Sequence, residues 1–399
     1  MKRSFLALVA LYAACTTADA QSSISLYGIV DAGFGFTGSQ RVAETSGAAG
    51  RPVVYRGASN LSFVGGTWSG NRWGLKGSEA LGSGLSAIFQ LENGFNMVTG
   101  QIGNGKRMFG RQAFMGLTSE AVGTVTVGRQ YDPIVTYVAS IGPGFFTTGV
   151  TAHPGDLDNL HGQSRTNNAI VYKSPPISGF RFGTLYGFGD QPGSMKSQST
   201  WSFGGQYADG PLAIGVAYLE ANNTYGANRS AWAGAYDGTF SSSATEGFAS
   251  SKRIRIIAAA STYSAGLLTL GVSYGNTQYT PGSFSLFSSK QTFNAFGLNA
   301  AYQATQVLRI SVGYGYARGS AIRAASTPQY HTFGAAVFYS LSKRTALYAV
   351  AGYQKAAGKA LDRFGNAVNA TATVGDIANM RSSADRTQTA VRLGVRHLF

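Results

Sequence analysis

The chain has 399 residues, enough for two or three soluble domains, and carries 54 Gly, 24 Phe, 21 Tyr and only 10 Pro, a mixture of strand-forming aromatics and small turn residues. Charged side chains make up 12%, about half the usual share, while the mean hydropathy is near zero and no apolar run approaches the ~20 residues of a membrane helix; both a typical soluble domain and a helical membrane protein are excluded. The formal charge of +15 is spread over single Lys and Arg residues without blocks or a nucleic-acid motif, so no nucleic-acid partner is expected.

Residues 1–20 read as a secretory signal. Lys2 and Arg3 give a positive start, Phe5 to Ala14 an apolar core, and Ala18-Asp19-Ala20 a small-residue cleavage site before Gln21. The alternative, lipidation at Cys15, lacks the usual aliphatic residue three positions earlier, where Tyr12 stands. Cleavage removes the only cysteine and takes the 32 basic and 17 acidic side chains to 30 and 16, a net charge of +14 on a single mature domain, residues 21–399. That domain has no thiol chemistry, and its stability must come from its backbone ladder and packing.

Along the mature chain apolar residues recur at every second position, as required of a strand with lipid on one face and water on the other. Leu26, Gly28, Val30, Ala32, Phe34 and Phe36 share one face of the first such segment, with Tyr27, Asp31 and Gly35 on the other. Strands are expected near 24–36, 70–79, 84–93, 109–118, 123–130, 167–174, 179–189 and 199–209. The second half adds 211–220, 252–264, 267–279, 291–303, 306–318, 330–341, 344–354 and 386–399, sixteen in all. Short turns, such as Glu79 to Gly84 and Ser264 to Gly266, alternate with long loops near 37–69, 94–108, 131–166, 221–251 and 355–385. This sidedness belongs to an outer-membrane barrel of Gram-negative type. Unpaired N–H and C=O groups in hydrocarbon cost several kcal/mol each, so the sheet must close on itself. About sixteen strands enclose more space than side chains fill, which leaves an aqueous lumen. Tyr186, Phe188, Tyr274, Tyr302, Tyr316 and Tyr339, near strand ends, fit interfacial girdles.

Several motifs sharpen this expectation: Ser25-Leu26-Tyr27-Gly28, Arg72-Trp73-Gly74-Leu75-Lys76-Gly77-Ser78-Glu79, Phe109-Gly110-Arg111-Gln112-Ala113-Phe114, Gly128-Arg129-Gln130-Tyr131-Asp132 and Arg396-His397-Leu398-Phe399. Together they resemble the general bacterial porins, especially those of betaproteobacteria. The resemblance implies an all-β, 16-stranded antiparallel transmembrane barrel, a homotrimer, whose third long loop folds into the lumen. It also implies that Phe399 is an outer-membrane assembly signal read by the assembly machinery. Lipid and lipopolysaccharide are the implied surroundings, and inorganic anions and small polar solutes the implied cargo. No cofactor is expected.

In that family basic wall residues face acidic residues of the infolded loop. Arg72, Arg111 and Arg165 resemble the three arginines of the basic cluster, strand alternation puts Lys76 on the same face as Arg72, and Arg129 at the exit into the loop is a further candidate member. Pro143-Gly144-Phe145-Phe146 resembles the loop tip, but Gly144 stands where an acidic residue is usual, and Ser140 where a second would sit. The counter-charge is therefore expected to be missing, apart from what Asp156 and Asp158 restore; Asp132 lies at the loop root, a position suited to structural hydrogen bonding. A charge about 6 Å from a permeant ion is worth ~0.7 kcal/mol at bulk-water dielectric, so three unopposed arginines separate cations from anions by ~4 kcal/mol before screening. An anion preference of several-fold to about tenfold follows.

Two other classes compete. An outer-membrane enzyme would draw on His153 and His161 beside Asp156 and Asp158 as metal ligands or an acid–base pair, but no nucleophile with a defined histidine partner and no nucleotide-binding fingerprint accompanies them. An adhesin would act through loops such as Asn222 to Ser251, whose Gly, Ser, Ala and Asn read as solvated.

Overall fold

The computed structural model describes residues 22–44, 54–223, 236–238, 240–322, 326–375 and 381–399; the expected signal, residues 1–20, lies outside them. The first strands are β1 (Ser22–Ala43), β2 (Tyr55–Gly65), β3 (Arg72–Gly82), β4 (Leu85–Gly94), β5 (Gln112–Ser119) and β6 (Gly123–Gln130). After a long inward loop come β7 (Thr166–Lys173), β8 (Phe180–Gly187), β9 (Thr200–Asp209) and β10 (Leu212–Asn222). The regular half follows: β11 (Arg253–Ala265), β12 (Leu268–Thr280), β13 (Gln291–Gln303), β14 (Leu308–Gly319), β15 (Gln329–Ser340) and β16 (Thr345–Ala357). A small hairpin, β17 (Lys359–Leu361) and β18 (Ala367–Asn369), precedes the closing strand β19 (Thr387–Leu398).

Each strand pairs antiparallel with its neighbours, and β19 returns to β1 from Ile29↔Leu398 to Thr37↔Ala390, which closes the sheet. Both β2 and β3 lie on the same edge of β1, end to end, with Ala32 opposite Gly65 and Ile29 opposite Arg72. They form one stave broken at residues 66–71, so seventeen strands make a closed barrel of sixteen staves. Asp31 holds the break. Its buried carboxylate accepts the N–H groups of Trp68 and Ser69 at 2.8 and 3.1 Å and the Tyr348 hydroxyl at 2.6 Å. The extension of β1 to Ala43 and the whole of β2 fall within the loop expected at 37–69, because Arg56, Asn60 and Ser62 dilute the apolar alternation there. The β17–β18 hairpin likewise lies inside the loop expected at 355–385.

Alternation decides which face meets lipid. Val312 is 51% exposed on the outer surface, while its neighbour Ser311 is 1% exposed on the inner wall. That inner wall is covered, along much of its circumference, by the loop 131–165. The loop lies flat because the wall beneath it is glycine. A Cβ at Gly215 would stand 2.2 Å from the Tyr137 carbonyl oxygen, one at Gly271 would stand 2.5 Å from the Phe146 ring, and one at Gly334 would stand 2.6 Å from Thr151 Cγ2. From above, Phe248 stacks on Tyr279 at 4.6 Å and Val374 joins Val150 in an apolar cluster, so two further loops pack down onto the mouth. The stretch 240–251 of the loop expected to be solvated is therefore largely buried: Phe248 finds an aromatic cluster with Tyr279, Phe287 and Phe293, and Phe240 packs against the same core.

Candidate pore constriction

With the β9–β16 side of the lumen filled by loops, a cavity of about 590 Å³ remains beside β2–β5, lined among others by Arg72, Arg111, Tyr131 and Arg165. Arg72 opens β3 opposite Gly94 and Arg111 stands just before β5, so both enter the lumen next to β4. Between them lies a residue that the motif reading did not single out. Glu92, paired with Gly74 on one side and Gln112 on the other, is 3% exposed. Its Oε1 accepts Arg111 Nε at 2.7 Å and lies 4.0 Å from Arg72 Nη1, while its Oε2 accepts the Tyr27 hydroxyl at 2.8 Å.

Tyr131 completes the cluster. Its hydroxyl accepts Arg111 Nη2 at 2.8 Å and also a hydrogen bond from Arg165 Nη2, and the Arg165 guanidinium lies 4.6 Å over its ring. Burial alone would push this phenol up, but the guanidiniums of Arg111, Arg165 and Arg72 hold it below its ordinary value, the mark of a net positive surrounding. Two guanidiniums thus flank one carboxylate, and a third, that of Arg165, joins them through Tyr131. The counter-charge expected to be missing from the loop is supplied in part by the wall, where Glu92 offsets one of the three.

Arg129 is directed elsewhere. The register slips between Gly128 and Gln130, with Gly128 at φ +130°, and this bulge turns the Arg129 side chain toward Gly110 O at 2.8 Å and Asp237 Oδ2 at 2.6 Å. Asp237 also takes Arg107 at 3.0 Å, so the two arginines share one carboxylate in an ion-pair cluster at the mouth. Lys76 is exposed on β3, 5.6 Å over the Tyr27 ring.

The loop carboxylates do not reach the cavity as free charges. Asp132 accepts Ile134 N at 2.7 Å and Asn159 Nδ2 at 2.8 Å, tying the outgoing arm of the loop to the returning one; burial pushes its carboxyl up to about 6, against those hydrogen bonds. Asp156 accepts the N–H groups of His161 and Gln163 at 2.8 and 2.9 Å, and burial pushes it up to about 7, opposed by His161. Asp158 meets His153 Nδ1 at 2.5 Å with neither side chain exposed. These are internal fastenings, so Asp156 and Asp158 do not offset the basic cluster in the way the sequence suggests. His153 and Asp158 are equally out of reach as an acid–base pair, and among the described residues no three His, Cys, Asp or Glu side chains gather in a metal-binding group. At the loop tip, a Cβ at Gly144 would stand 2.8 Å from His161 Cδ2, which leaves little room for an acidic side chain there. Ser140 accepts Gln206 Nε2 at 3.3 Å, and Phe145 and Phe146 meet edge to face at 5.1 Å after Pro143 starts the single helical turn Pro143–Thr147.

The same architecture recurs in known proteins. An outer membrane porin protein of Bordetella pertussis is 29% identical over 425 aligned positions, spanning all of both chains. Outer membrane porin protein 32 of Delftia acidovorans is 28% identical over 409 positions, again spanning both. Among solved structures, the anion-selective porin from Comamonas acidovorans superposes with a TM-score of 0.68 at 23% identity, covering 95% of this chain and 100% of that one. An outer membrane protein of Vibrio cholerae in its trimer form gives a TM-score of 0.59 at 13% identity, covering 95% and 99%. The model of the Gram-negative porin family matches residues 7–359, a span that takes in every stave but the last. The chain belongs to the Gram-negative porin family, and it is a passive channel across the outer membrane.

Proposed function

We propose that the channel prefers anions, and that Arg72, Arg111 and Arg165 set this preference at its constriction. The observation that carries the reading is the ratio of three guanidiniums to one buried carboxylate, Glu92. Two net charges at about 6 Å separate a chloride from a potassium ion by ~3 kcal/mol at bulk-water dielectric, and a Debye length of ~8 Å cuts this to ~1.3 kcal/mol, about ninefold. The anion-selective character of the Comamonas acidovorans porin supports the same reading. Lys76 adds a smaller push from the exposed wall, and Arg129, which shares Asp237 with Arg107 away from the cluster, adds less than the three arginines do.

The mature chain works, in this reading, as a homotrimer in a lipid and lipopolysaccharide layer; the trimer form of the Vibrio cholerae protein of like fold supports that assembly. Residues 1–20 act as the cleaved signal and Phe399 as the signal for the assembly machinery.

The test is the zero-current potential of the purified protein in a planar bilayer under a KCl gradient. Wild type is expected to settle toward the chloride potential, and Arg72→Ala and Arg111→Ala to move it toward zero. A potential on the potassium side in wild type would overturn the assignment.

A further inference from the structure

Outside the constriction, stave β14 brings Arg309 into the lumen and stave β19 brings Arg396, besides the Arg392 that is bound to Phe36 O and the Thr37 hydroxyl, and both Arg309 and Arg396 lie over aromatic rings. The Arg309 guanidinium sits 4.3 Å over the Phe338 ring and 5.2 Å over the Phe145 ring at the loop tip. Phe338 meets Trp68 at 4.4 Å, and the Arg396 guanidinium sits 4.1 Å over Trp68. A continuous stack results: Phe145, Arg309, Phe338, Trp68, Arg396. Four separate elements and the break in the second stave contribute to it, the last held in place by Asp31.

Neither arginine is paired with a carboxylate, although Asp31, opposite Arg396 across the seam and already bound by Tyr348 and the N–H groups of Trp68 and Ser69, attracts Arg396 at longer range. Among the described residues, no carboxylate lies within 4.0 Å of Arg309 or Arg396, no hydrogen bond from either is formed, and Arg396 Nε is buried without a partner. This contrasts with Arg111, Arg129 and Arg255, each of which has its carboxylate. A guanidinium seated over a ring can keep its outer N–H groups free for a planar oxyanion, and being weakly hydrated it releases water readily to such a partner. Phe145, 45% exposed, adds an apolar ring surface beside that edge. Charge and ring surface together favour one chemistry: a carboxylate joined to an aromatic ring. A small inorganic anion would use the guanidiniums but leave the ring idle, and a neutral sugar would find stacking without the acceptors its hydroxyls need.

We propose that Arg309 and Arg396, with Phe145, form a second anion site in the lumen, distinct from the Arg72–Arg111–Arg165 constriction, that takes small aromatic carboxylates in transit. The site rests on the channel reading for its role but not for its ability to bind.

The probe is benzoate, compared with acetate, which has the charge without the ring, and benzyl alcohol, which has the ring without the charge. Chloride current through the reconstituted protein is measured in about 0.1 M KCl, where charges are still felt over ~10 Å. Benzoate is expected to reduce the current saturably, at about a tenth of the acetate concentration, and benzyl alcohol to have no effect. Arg309→Gln and Phe145→Ala are each expected to shrink the benzoate-to-acetate ratio below about threefold, and Arg309→Lys to shrink it as well, because an ammonium has no planar fork. Equal action of benzoate and acetate on wild type, or an unchanged ratio in folded Arg309→Gln, overturns the site. Absence of any chloride current would instead strike at the channel reading. The site would then be decided by equilibrium dialysis of benzoate against the folded protein in detergent: saturable binding lost in Arg309→Gln upholds it, and no binding overturns it.

Discussion

Glu92 shows how one residue sets the scale of a selectivity. It is the only carboxylate among the described residues within 4.0 Å of the constriction arginines, and it lies between two of them. Glu92→Gln keeps the hydrogen-bonding shape and removes the charge, so three positive charges would act where two do now. One more charge at about 6 Å adds ~0.7 kcal/mol of screened discrimination between anion and cation, about a threefold rise in the chloride-to-potassium permeability ratio. Reversal potentials of the variant and wild type measured side by side decide it; a ratio that falls or stays level would mean that Glu92 does not temper the cluster. That Arg72, Arg111 and Arg165 come to line one cavity follows from the short motifs they sit in, each at or just before the start of its strand. Glu92 was not legible in the sequence, because alternation assigns a residue to a face but not to a neighbour. Its partners follow only from the register that sets Glu92 opposite Gly74 and Gln112. The same limit hid Arg309 and Arg396, which acquire meaning from Trp68 and Phe145, residues remote in the chain.

At the level of an element, the infolded loop is fastened by groups whose protonation matters. Asp156 is pushed up to about 7 and Asp132 to about 6 by burial, from an ordinary value near 3.8. A raised carboxyl pKa means that the folded loop holds the proton more tightly than an open one, so stability is fully present below about pH 4 and is lost as the pH rises through 6 and 7. His153 acts in the same direction. Burial alone would push its imidazole down, but the Asp158 carboxylate against it, with its hydrogen bond, holds it above 6.5, and the stabilisation this gives fades as the pH climbs past the folded value. The loop is therefore expected to be held more firmly at pH 5.5 than at pH 8, contrary to a simple picture of acid release. Hydrogen exchange of residues 134–160, corrected for intrinsic rates, should show greater protection at the lower pH, and the reverse trend would contradict the assignment of these groups. The path of the loop could not be read from the sequence, because what directs it is an absence of side chains: Gly215, Gly271 and Gly334 belong to strands whose pattern is otherwise ordinary.

Over the whole molecule, the fold was largely legible because lipid on one side and water on the other impose a period of two on every stave, and only the segments where polar residues interrupt that period, β2 and the β17–β18 hairpin, escaped. What alternation does not supply is closure, which depends on a single seam between the two ends of the chain. There β19 pairs with β1, and Phe399 extends the ladder by donating its N–H to Gly28 O and accepting Gly28 N–H, both at 3.1 Å. Its ring fits only because residue 28 is glycine: a Cβ there would stand 2.2 Å from Phe399 Cζ. Deleting Phe399 removes two hydrogen bonds, each worth ~1 kcal/mol net, and exposes the freed groups of Gly28 beside lipid, where an unmet backbone group costs several kcal/mol. The seam is the contact that closes the sheet, so the deletion is expected to lower the yield of closed barrel several-fold while leaving the conductance of each closed channel as it was. The folded fraction is read from the mobility of unheated against heated samples on a denaturing gel, and single-channel recording reads the survivors. Full folded yield without Phe399 would show that the seam closes on β19 alone; a changed unit conductance would show that the residue shapes the lumen as well as the seam.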